Sequence, residues 1–124
     1  MPIHLPDSLM VSVSGVRGRV GAPLTPELMS GVAAALGAWL RTVEEGRTVV
    51  LARDSRVAGP MFARAVTAGL GSVGCHVVDL GVVPTPTLLM GVTDLEAIGG
   101  IGVTASHNPA EWNALKLVSS EGIF

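Results

Sequence analysis

The run Thr48-Val49-Val50-Leu51-Ala52 constrains this chain more than any other stretch. Its apolar residues follow one another without alternation, so the segment cannot lie on a sheet that turns one face to water. Helices on both faces of a largely parallel sheet are the usual cover for such a strand. The flanking sequence has the parts for that arrangement. Residues 9–14 have strand character and run into a Gly/Arg loop, Gly15-Val16-Arg17-Gly18-Arg19. Thr25-Pro26-Glu27-Leu28 predicts a helix start, with Thr25 as N-cap and Pro26 in the first helical position. That helix runs to about residue 45 and ends at Gly46. After the apolar run comes a polar loop, Arg53-Asp54-Ser55-Arg56, then a helix over 59–72 and a strand over 76–80. The loop Gly81-Val82-Val83-Pro84-Thr85-Pro86 leads to a short helix over 87–91, a Gly-laced strand over 97–104 and a last strand over 115–119.

Such alternation predicts a three-layer α/β/α domain with a mostly parallel, mixed sheet of about four strands and right-handed crossovers. The 124 residues suffice for one domain and not for two. Arg17, the 53–56 loop, Thr85 and Ser106-His107-Asn108 then follow the C-terminal ends of strands, the rim where open α/β sheets bind ligands.

Composition limits the functional class. Charged residues are 15% of the chain, the net charge is −2, and seven Arg and one Lys are scattered without a run. No phosphate backbone could be held that way, so nucleic acid is excluded as a partner. There is no stretch of 18 apolar residues for a membrane span, and the start, MPIHLPDSLM, lacks the pattern of a secretory signal. A single cysteine, Cys75, fits a reducing cytoplasm. Mean hydropathy is +0.55. A chain that apolar is expected to have a face covered by another domain or by a second copy of itself. The stop at Phe124, straight after a strand, reads as the end of a piece of something larger.

Gly69-Leu70-Gly71-Ser72-Val73-Gly74 matches a dinucleotide fingerprint in spelling only. That motif needs a strand before it and a helix after it. Here the glycines close a helix and lead into a strand, as helix-terminating glycines do. The informative stretch is Thr104-Ala105-Ser106-His107-Asn108-Pro109, continued to Lys116. The chain has no Gln, two Asn and one Lys, and both Asn and the Lys fall within these thirteen residues. A serine hydroxyl on a tight turn beside His and Lys suits phosphoryl or acyl transfer. A G-x-S-x-G elbow and an acid to orient the His are missing, which disfavours triad hydrolysis. Phosphoryl transfer asks for cations around the phosphate and a proton shuttle, and Arg, Lys and His supply them.

The same residues resemble the active-site signature of the α-D-phosphohexomutases, the phosphoglucomutase/phosphomannomutase type of enzyme: T-[AS]-S-H-N-P followed by N-[GA]-[IL]-K, here Asn113 to Lys116. Gly15-Val16-Arg17-Gly18, Arg53-Asp54-Ser55-Arg56 and Gly81-Val82-Val83-Pro84-Thr85-Pro86 resemble three further landmarks of that family in the same order. V-S-V-S-G stands where F-G-T-x-G is more usual. The resemblance implies that the chain, 1–124, is the N-terminal phosphoserine domain. Ser106 would carry the phosphoryl group and bind Mg²⁺ through it, exchanging phosphate with a hexose phosphate by way of a bisphosphosugar. A glucose 1,6-bisphosphate-type activator would charge it. His107 would serve catalysis or tie down the loop, Lys116 would contact phosphate or move a proton, and Arg17 would stand beside the phosphoserine. Asn108 would shape the turn against the phosphate, while Arg53 and Arg56 would bind phosphate or pair with Asp54. Thr85 is read as a helix cap or loop brace, and Thr104 in place of Ser leans away from the glucosamine-specific branch. No D-x-D-x-D metal loop occurs, so the metal-, sugar- and phosphate-binding parts would belong to later domains. The alternative is a non-catalytic α/β module for anion binding or assembly. Intact Ser106, His107 and Lys116 weigh against it.

Overall fold

The computed structural model describes residues 10–12, 15–21, 24–104 and 112–122. Ser106, His107 and Asn108 lie outside the described residues, as does the side chain of Arg17. Among the described residues the order is β1 (Met10–Ser12), β2 (Gly15–Arg19), α1 (Pro26–Val43), β3 (Thr48–Arg53), α2 (Gly59–Ser72), β4 (His76–Val82), α3 (Thr85–Asp94), β5 (Gly99–Val103) and β6 (Trp112–Ser119). The helices begin and end for local reasons. The hydroxyl of Thr25 accepts the Leu28 N–H at 3.1 Å, and Pro26 needs no donor partner in the first turn. Gly46 and Gly74 follow the first two helices with φ of 107° and 86°, where a side chain would be strained.

The strands form one sheet in the order β1-β2-β6-β5-β3-β4. Pairs β3–β4 and β3–β5 are parallel; β1–β2, β2–β6 and β5–β6 are antiparallel. The α/β class and the mixed sheet hold. The expectation of about four strands, mostly parallel, is corrected to six strands with antiparallel pairing on one side. One of the added strands, residues 15–19, was expected as a loop. Glycine and arginine have little strand preference, but β6 supplies a partner edge and the tertiary pairing overrides propensity.

Two crossovers explain the layers. The chain leaves β3 through α2 to reach β4 at the sheet edge, then returns through α3 past β3 to β5. Opposite directions of travel with the same right-handed crossover put the two helices on opposite faces. Alternate residues of β3 follow suit. Val49 and Leu51 join the core beneath α1 and α2, with Phe62, Val66, Leu70 and Ile101. Val50 and Ala52 pack with Leu88 and Val92 of α3. This is the three-layer α/β/α arrangement expected.

Several boundaries shifted; β1 covers 10–12 in place of 9–14, and β5 covers 99–103 in place of 97–104. α2 spans the expected 59–72. β4 runs two residues beyond the predicted 80, and β6 starts three residues before the predicted 115 because Asn113, fully buried, interrupts the apolar pattern. α3 covers 85–94 and not 87–91, since Pro86 fits the first turn as well as it would precede a helix. Thr85 is therefore its first residue; Pro84 holds the cap position, with no side-chain hydrogen bond. No helix is long and apolar enough to cross a membrane among the described residues.

Candidate functional site

The loops after β3 and β4 depart toward opposite faces of the sheet, and strands so connected open a crevice at their C-terminal ends. A cleft of about 150 Å³ lies there, lined by Ala52, Arg53, Asp54, Val83, Pro84, Thr85, Leu88, Gly102 and Thr104. The pairing of β3 with β4 slips between Leu51 and Arg53. Asp79 accepts the Gly81 N–H at 2.7 Å, Gly81 takes φ 74°, and the Val83 N–H reaches the Arg53 carbonyl at 3.3 Å. This irregularity carries Val83, Pro84 and Thr85 to the side of Arg53, as bulges near sites commonly do.

The rim can be followed strand by strand. Arg17 on β2 stands opposite Ala114 on β6. The Ala114 carbonyl accepts the Thr104 N–H at 3.1 Å, and the Val103 carbonyl accepts the Asp54 N–H at 3.2 Å. Backbone hydrogen bonds and strand pairing thus connect four adjacent strands at one level. Lys116 pairs with Gly102, a wall of the cleft, and so shares its face of the sheet. Arg17, expected after a strand's end, lies within one. Its register still brings it to the rim.

Asp54 organises the loop. Its Oδ1 accepts the Arg56 N–H at 3.0 Å. Its Oδ2 accepts the Arg56 Nε–H at 3.1 Å and the Thr104 hydroxyl at 2.7 Å. Arg56 is thereby bound into the structural pair that was one of its two readings. Arg53 differs. Its Nε is buried without a hydrogen-bond partner among the described residues, and its stem lies where a Cβ on Gly59 would come within 3.3 Å. A buried guanidinium donor left open is a costly arrangement and a natural contact for an anion. The described part of the rim carries Arg53 on the α2 face, Lys116 on the α3 face and Arg56 beside the one carboxylate, Asp54. That balance favours an anion over a metal. Among the described residues no three His, Cys, Asp or Glu gather as metal ligands.

Of the residues expected at one edge, the structure places Arg53 and Thr85 there, together with Thr104, while Ser106, His107 and Asn108 lie outside the described residues. Sequence reasoning missed the Asp54–Thr104 bond, the cleft walls at Val83 and Leu88, and the gap left by Gly102. Both residues of the first belong to landmark motifs, yet neither motif shows that the two meet.

Comparison with known proteins adds a second line. Residues 9–124 match the family model described as phosphoglucomutase/phosphomannomutase, alpha/beta/alpha domain I. A phosphoglucomutase/phosphomannomutase of Thermococcus kodakarensis is 42% identical over 112 residues, which is 88% of this chain and 24% of that protein. A phosphoglucosamine mutase of Beijerinckia indica is 41% identical over 108 residues, 87% of this chain and 24% of that protein. The crystal structure of a phosphoglucomutase/phosphomannomutase family protein from Burkholderia thailandensis superposes with a TM-score of 0.81 at 33% identity, covering 93% of this chain and 28% of that one. This chain spans about a quarter of the length of such relatives. Relatives named for glucosamine match as well as those named for glucose and mannose, so the lean drawn from Thr104 gains no support.

Proposed function

Given that this chain belongs to the phosphoglucomutase/phosphomannomutase family, as its domain I, we propose that it is the phosphoryl-carrying part of a phosphohexomutase. Ser106 holds a phosphoryl group and exchanges it with the 1- or 6-hydroxyl of a hexose phosphate through a bisphosphosugar. In the forward step the P–O bond to Ser106 breaks and a P–O bond to the sugar hydroxyl forms. The hydroxyl proton leaves to a base, Lys116 or His107, and the serine oxygen regains a proton from its surroundings. Arg17, Arg53 and Asn108 hold the phosphate oxygens, and Arg56 keeps Asp54 in place. The exchange joins esters of similar energy, so the residues have only to position the groups and balance charge.

One observation supports the reading most: the neck of the Ser106 segment, Thr104 and Ala114, is hydrogen-bonded across adjacent strands between Arg17 and Asp54, with Arg53 and Lys116 flanking it. A Mg²⁺ ion, when bound to the phosphoserine, would offset charge on the transferring group. Its remaining ligands would come from outside the described residues, among which no three His, Cys, Asp or Glu gather. The partners implied are the phosphosugar and the later domains of the mutase, in a cytoplasmic setting that suits the free thiol of Cys75.

Intact mass after incubation with glucose 1,6-bisphosphate and Mg²⁺ tests the proposal. One added phosphoryl group at Ser106 is expected, absent in Ser106→Ala. A chain that stays unmodified under these conditions favours the non-catalytic module.

A further inference from the structure

We propose that Asp54 and Thr104 form a positioning pair that fixes where the Ser106 segment leaves the sheet; the inference rests on the phosphoryl-carrier reading of Ser106. Thr104 is the last described residue of the chain before that segment and stands two residues ahead of Ser106. It is held twice. Its backbone N–H is bound to the carbonyl of Ala114, the third residue of β6, at 3.1 Å. Its hydroxyl is bound to Asp54, fifty positions away, at 2.7 Å. The first bond closes the neck of the segment, and the second ties that neck to the loop after β3.

Asp54 is built for this task. Three donors converge on its carboxylate, two of them from Arg56. A carboxylate so engaged has its orientation set by three donors and keeps one acceptor site, on Oδ1. Its backbone is fixed too, through the 3.2 Å bond to the Val103 carbonyl on the neighbouring strand. The pair is partly buried, where a hydrogen bond to a charged acceptor is stronger and more directional than in water. Arg53 and Asp54 are consecutive, and both line the same cleft as Thr104. The bond therefore couples the backbone that carries Arg53, whose stem packs against α2 at Gly59, to the base of the segment that bears the nucleophile. Displacing reacting groups by about 1 Å can cost about a hundredfold in rate, so a two-point hold on the neck has a direct chemical consequence.

Three substitutions test it: Thr104→Val, which keeps the shape and removes the hydroxyl; Thr104→Ser, which keeps the hydroxyl; and Asp54→Asn, which turns one acceptor into a donor. The first readout is the rate of phosphoryl uptake from glucose 1,6-bisphosphate. Thr104→Val and Asp54→Asn should slow it about tenfold or more, Thr104→Ser should stay within about twofold, and all three should keep their folded circular dichroism. Uptake by Thr104→Val at the unaltered rate would overturn the pairing. A second readout, amide hydrogen exchange, does not depend on phosphate. If the unaltered chain takes up none, the carrier reading fails, and the pairing is decided by exchange alone. Amides over 104–106 should then exchange faster in Thr104→Val than in Thr104→Ser, with those of α2 unchanged. Equal exchange would sink it. A substitution that unfolds the chain is replaced by Thr104→Ala, read in the same two ways.

Discussion

At the scale of single residues, side chains here act through what surrounds them more than through their own chemistry. Cys75 served in the sequence only to indicate a compartment. In the fold it is buried, and desolvation raises its thiol above the ordinary 9.0, with Arg41 pulling partly the other way. A raised acid favours the protonated form in the native state. Its contribution to stability is therefore complete below the unfolded value and is lost as pH rises through the folded one. Iodoacetamide at pH 8 should alkylate the folded chain at least about tenfold more slowly than the urea-unfolded chain. Equal rates would show that the thiol is open. Replacing it by alanine should also flatten the fall of stability with pH above its ordinary value. Asp54 teaches a related point: an R-D-S-R motif shows a carboxylate among arginines, but its partner fifty residues away is visible only when both loops meet.

At the scale of elements, the glycines closing α2 show how one residue can satisfy two demands. Gly69 looks like a helix defect, and alanine there should add up to about 1 kcal/mol on propensity alone. A Cβ at that position would collide with the Ser30 carbonyl of α1. Overpacking of this kind costs typically about 1–3 kcal/mol, so the contact wins over propensity. Gly69→Ala should lower the urea midpoint; a raised midpoint would mean that the two helices separate without cost. The large side chain at the centre of the same layer gives a complementary test. Phe62, on the inner face of α2, is fully buried, and Phe62→Ala should cost about 3–5 kcal/mol, a large share of the stability of an ordinary domain, read as a lowered urea midpoint by circular dichroism. Helix positions were readable because capping and turn signals are local. The hairpin β1–β2 and the early start of β6 were not, because their strands draw stability from one another and not from their own residues.

At the scale of the whole molecule, the proposed phosphoryl carrier would need more than this domain to turn a sugar over. The chain covers about a quarter of its relatives' length, and the described residues gather no metal ligands. Pure 124-residue protein should therefore charge Ser106 without steady conversion of glucose 1-phosphate, as a coupled assay for glucose 6-phosphate would read. Sustained turnover would mean that the domain is a complete catalyst.

The sequence by itself determined the α/β class, the three helices, the buried β3 strand and the motif around Ser106, because propensity, capping and the packing needs of an apolar run act over a few neighbouring residues. Only the tertiary structure decided that residues 15–19 are a strand, that six strands share the sheet, and that Asp54 meets Thr104. Each of those depends on a partner far away in the chain, and hydrogen bonds between distant segments leave no local trace in either one.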